Sequence, residues 1–158
     1  MAFMKLRSNH ICIFILLCLA GVGYSQSKKL FLDNPLAKSN SNVTEKAKFL
    51  TTGDNIKRFC TADFDSSVFL ADSSFLINLF PDARFEATVH KVEAGDKDIK
   101  DLWAGTLAGF PLSDVEIFYH GTCISGRINT GKALYTFISL DKDAVLIKEI
   151  DLSKKVRM

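Results

Sequence analysis

The chain has 158 residues, 47% of them hydrophobic and 24% charged, which suits one domain with a modest core and leaves no room for a second. Its formal net charge is +2, and two basic residues, Lys5 and Arg7, lie in a first segment that holds no acid, so eighteen acids and eighteen bases follow residue 25. A remainder that is neutral has no electrostatic footprint for nucleic acid or acidic lipid, and both are excluded as partners.

Residues 1–25 read as a cleavable export signal. Lys5 and Arg7 form a basic start, Ile11 to Val22 an apolar run, and Gly23 and Ser25 supply the small residues for cleavage before Gln26. The apolar run falls short of the roughly 20 residues a spanning helix needs. The expected location is therefore secreted or periplasmic, with no membrane contact after the signal is removed.

Residues 26–57 form a loop or short-helix segment. Ser39-Asn-Ser-Asn42 and Thr51-Thr-Gly-Asp-Asn55 are loop clusters, and Val43–Leu50 between them suits two helical turns capped by Asn42. From Arg58 the pattern turns to strand. Arg58–Phe64, Ser67–Leu70 and Phe75–Phe80 are separated by Asp65-Ser66 and Asp72-Ser-Ser74, and Pro81-Asp82 turns the chain into Arg84–Val92.

Between Asp101 and Asp151 four apolar runs recur, each closed by a turn signal, as in an antiparallel β-meander. In 101–107 Trp103, Gly105 and Leu107 share a face. Gly109 to Ser113 reads as a loop. In the next run Val115, Ile117 and Tyr119 point inward, and after His120-Gly121 so do Ile124, Gly126 and Ile128. Asn129-Thr130-Gly131 turns into a run with Leu134, Ile138 and Leu140 on one face and Tyr135 and Phe137 on the other. Asp141-Lys142-Asp143 leads into Ala144–Ile150. The expected fold is all-β: an antiparallel meander of about eight or nine strands over 58–153, forming a sandwich or a curled, partly closed sheet. A basic tail, 154–158, follows it.

The order Trp103-x-Gly105-x-x-x-Gly109-x-x-x-Ser113-x-Val115-x-Ile117, then Gly126-x-Ile128, Tyr135-x-x-Ile138 and Glu149-Ile150-Asp151 resembles the propeptide domain of reprolysin-type (adamalysin) zinc metalloproteases. The likeness covers about the last hundred residues. It implies a non-catalytic domain that assists folding of a zinc metalloprotease catalytic domain, supplied in cis or encoded nearby, and keeps it latent by contact. The family's own His-Glu-x-x-His signature is absent from this chain, so no catalytic or cofactor-binding residue is expected in it.

Cys12 and Cys18 fall within the signal, leaving Cys60 and Cys123. In an oxidising compartment they are candidates for a disulfide worth roughly 4–5 kcal/mol. The resemblance suggests instead a free thiolate for the protease zinc, but neither cysteine stands in an apparent loop. Cys60, Cys123, His90 and His120 have no metal-ligand spacing, so a zinc set would need four distant points to converge. Trp103, Tyr119, Tyr135 and Phe137 are candidates for an aromatic partner-binding patch on the outer sheet face, or else for a core face covered by residues 26–57. Such a patch would also serve an exported β-sandwich module for a carbohydrate or cell-surface partner, the alternative function.

Overall fold

Alternating apolar and polar residues give each strand one face to bury, and here all the strands curl around one shared interior. The computed structural model describes residues 28–33, 41–52, 55–92, 101–142 and 144–153. The export signal and the basic tail lie outside the described residues. The strands are β1 (Phe31–Asp33), β2 (Ile56–Phe64), β3 (Ser74–Phe80), β4 (Ala83–Lys91), β5 (Leu102–Leu107), β6 (Phe110–His120), β7 (Cys123–Asn129), β8 (Leu134–Ser139) and β9 (Ala144–Ile150). Among the described residues two short helices join them, α1 (Ser41–Leu50) and α2 (Ser66–Ala71).

All nine strands lie in one sheet, in the order β1-β2-β9-β8-β7-β6-β5-β4-β3. Neighbouring strands are antiparallel throughout, and β3 to β9 form an unbroken meander. The chain just before β1 then meets β3: Leu30 N donates to Leu76 O at 2.8 Å and Leu76 N to Lys28 O at 2.9 Å. This parallel bridge brings the two ends of the sheet together, so the result is a nearly closed barrel rather than a sandwich. Closure removes most of the edge that an open sheet would expose.

Three sequence expectations change. Ser67–Leu70 is not a strand but the body of α2. Asp65 Oδ1 accepts from Ser67 N at 3.0 Å and Val68 N at 3.3 Å, and this N-cap starts a helix across one end of the barrel. The loop expected over Gly109–Ser113 shrinks to Ala108-Gly109, with Gly109 at φ +78° and Leu107 opposite Phe110. Between residues 26 and 57 the expected short helix forms as α1, which lays Val43 and Ala47 on Leu140, Ala144 and Leu146 outside the barrel, but a strand not expected there, β1, helps to close it.

The interior is filled by side chains. At the α2 end Phe69 stands among Phe64, Phe75, Trp103 and Tyr119, with ring centroids 4.9 to 6.0 Å away. Ile77, Val89, Val115, Ile117, Ile128 and Ile147 fill the middle. At the opposite end Phe80, Phe85, Phe110 and Tyr135 are in ring contact, beside the ion pairs of Glu149.

Candidate functional site

Most residues of the Gly/Ser/aliphatic pattern build the barrel. Gly105 lets β4 and β5 approach closely, since a Cβ there would sit 2.0 Å from Thr88 O and 2.8 Å from Val89 Cα. At Gly126 a Cβ would fall 2.3 Å from Glu116 O and 2.4 Å from Phe137 Cζ, so the Phe137 ring occupies its place. Val115, Ile117 and Ile128 are buried in the interior. Ile150 pairs with Leu134, and Asp151 accepts from Ser153 N while its own N–H reaches Asn55 O.

Ser113 ties the β5–β6 hairpin. Its hydroxyl accepts from Leu107 N at 2.8 Å and donates to Phe110 O at 2.6 Å, where the register shifts between Gly105 and Leu107. Ser113→Ala leaves a buried amide without its acceptor. We expect a loss of about 1–2 kcal/mol in urea unfolding at unchanged m-value. A loss near zero would mean that water replaces the hydroxyl without cost.

Of the two readings of Trp103, Tyr119, Tyr135 and Phe137, the core one is nearer the structure, and the outer aromatic patch does not form. Tyr135 and Phe137 are buried inside the barrel, and Trp103 and Tyr119 pack half-buried against Phe69. Period-two alternation separated the two faces of β8, but the larger rings went to the interior and Ile138 to the outside.

The predicted cysteine pair is not formed either. Cys60 on β2 and Cys123 on β7 are not disulfide-bonded and have β9 and β8 between their strands, three inter-strand steps or about 14 Å apart along the sheet. Cys60 Sγ donates to Leu79 O at 3.3 Å, while Cys123 is exposed beside a tight turn. His90 and His120 stand on β4 and β6. Among the described residues no three His, Cys, Asp or Glu side chains converge as a metal site.

Two features were missed. The first is a charged clasp at the barrel end opposite α2. Glu149, 3% exposed, receives Lys57 Nζ at 2.5 Å and Arg58 Nε at 2.6 Å. Arg58 also reaches Asp82 in the β3–β4 turn at 2.7 Å and lies 4.2 Å over the Phe80 ring. Burial alone would raise the Glu149 pKa, but the bonds from Lys57 and Arg58 outweigh it and hold the carboxyl below its ordinary range. Asp82 is lowered chiefly by its bond from Arg58, and Tyr135 is raised by burial and by the charge of Glu149. The clasp links β2 to β9 on one side and to the β3–β4 turn on the other, so it holds the barrel seam at this end.

The second feature is an apolar row on the outside. Leu102, Phe118, Ser125, Ile138 and Leu146 stand directly opposite one another across β5, β6, β7, β8 and β9. α1 covers Leu146 completely and stops there. Phe118 is left 46% exposed and Ile138 40%. No family model, curated protein or solved structure matches this chain. The site is therefore read from its own geometry. That geometry offers a filled barrel, a clasp and an uncovered apolar strip beside a helix.

Proposed function

We propose that the chain is an exported, non-catalytic domain of the kind the propeptide resemblance implies. It holds a reprolysin-type zinc metalloprotease catalytic domain, assists its folding and keeps it latent by covering its cleft. The observation that supports this reading is the outer row: Phe118 and Ile138 flank Ser125 across β6, β7 and β8, in line with a leucine that the chain's own helix already covers. A partner laid beside α1 would extend that cover. Phe118 and Ile138 are both already more than half covered, so removing the rest of each from water is worth about 1 kcal/mol. The packed interior favours surface recognition over a ligand held inside the barrel.

The test is affinity capture from the medium of the source organism on immobilised chain beginning at Gln26, followed by peptide-hydrolysis assays. The expected result is a retained, chelator-sensitive metalloprotease whose activity falls as free chain is added. Retention of no metalloprotease, or of one that cleaves at full rate in excess chain, would overturn the proposal.

A further inference from the structure

A cluster of reactive side chains lies at the barrel end opposite the clasp, two residues along β6 and β7 from Phe118 and Ser125 of the outer row. Asp101 enters β5, His120 ends β6 and Cys123 begins β7, so the topology brings all three to one corner of the α2 end. Gly121, at φ +62°, takes the first central place of the two-residue turn Gly121-Thr122. That turn makes His120 and Cys123 direct cross-strand partners. Directly paired residues share a face of the sheet, with Cβ atoms about 4.5–5.5 Å apart.

His120 Nδ1 lies 2.6 Å from Asp101 Oδ2. With Nδ1 engaged by that carboxylate, Nε2 is the ring nitrogen left to meet another group. The imidazole is 89% exposed and Cys123 is exposed beside it. Exposed ion pairs add little to stability, so holding the fold together does not account for this arrangement.

We propose that Cys123, with His120 as its base and Asp101 as the residue that positions His120, is a site of stoichiometric exchange with low-molecular-weight disulfides. This does not depend on the partner proposed above. As Cys123 Sγ attacks one sulfur of the disulfide, its proton passes to His120 Nε2. A new S–S bond forms at Cys123 while the disulfide's own bond breaks, and the second sulfur leaves as a thiolate with the electron pair. The Cys123 sulfur is oxidised and the leaving sulfur reduced, so no further reagent is needed.

The experiment treats the folded full chain with dithiobis(nitrobenzoate) at pH 7 and follows the mixed disulfide by peptide mapping, which separates Cys123 from Cys12, Cys18 and Cys60. His120→Ala should slow labelling of Cys123 about tenfold or more, and Asp101→Asn by a smaller factor. Free imidazole added to the His120→Ala protein should restore part of the rate, a rescue that a structural role would not give. An unchanged rate in His120→Ala overturns the proposal. So does a slower rate that imidazole fails to relieve.

Discussion

Phe69→Ala is expected to lower the unfolding free energy by about 3–5 kcal/mol. α2 is only six residues long, too short to persist without tertiary contacts, and Phe69 is its principal anchor, 1% exposed. Its ring meets Trp103 at 4.9 Å, Tyr119 at 5.3 Å, Phe75 at 5.8 Å and Phe64 at 6.0 Å. Those partners come from four different strands, so they cannot move together to fill the space that truncation leaves. Urea unfolding followed by the fluorescence of Trp103, the single tryptophan, reads the loss where it occurs. Leu70→Ala on the same helix removes a side chain that is 62% exposed and should change stability by less than about 0.5 kcal/mol. Equal effects at the two positions would contradict the role of α2 as the stopper of the barrel.

Glu149→Gln should cost about 2 kcal/mol at neutral pH. The glutamine keeps the volume but leaves Lys57 and Arg58 without their shared counter-charge. Arg58 retains Asp82 and is a third exposed, which holds the loss below that of a fully buried pair. The sign of the pH dependence follows from the lowered carboxyl of Glu149. A group whose pKa is depressed in the folded state stabilises above its unfolded pKa, and that contribution disappears as pH falls through the folded value. The gap between parent and variant should therefore be full at pH 7 and narrow once the pH drops below the ordinary glutamate range. Denaturation curves at several pH values measure it. A gap that stays constant into acid would show that volume or packing, rather than charge, sets the effect.

What could be read in the sequence was the local pattern. Alternation from Val115 through Ile128 placed those side chains correctly, because one face of β6 and β7 is buried and the other largely exposed. On β9 the same logic had less to work with. Val145 and Ile147 enter the barrel while Ala144 and Leu146 lie under α1, so both faces are apolar. Ser67–Leu70 misled because a four-residue apolar stretch carries no period, and the Asp65 cap was the signal that would have decided it. β1 is three residues long and closes the barrel through partners far away in sequence, which no local pattern can show. The clasp is also non-local: Glu149 was picked out only as part of the resemblance, and nothing near it in the chain points to Arg58 or Asp82. The outer row was hidden for a related reason, since Phe118, Ile138 and Leu146 align only once the strand registers are known.

The most direct measurement compares how well three proteins inhibit the captured metalloprotease: the parent chain, a Phe118→Asp/Ile138→Asp double variant and Leu112→Asp. Leu112 is an exposed leucine of β6 outside the row, and it controls for adding charge to the sheet surface. With folding checked by circular dichroism, the double variant should inhibit about a hundredfold more weakly than the parent, and Leu112→Asp should match the parent. A double variant that is folded and inhibits as well as the parent would contradict the claim that this strip holds the partner.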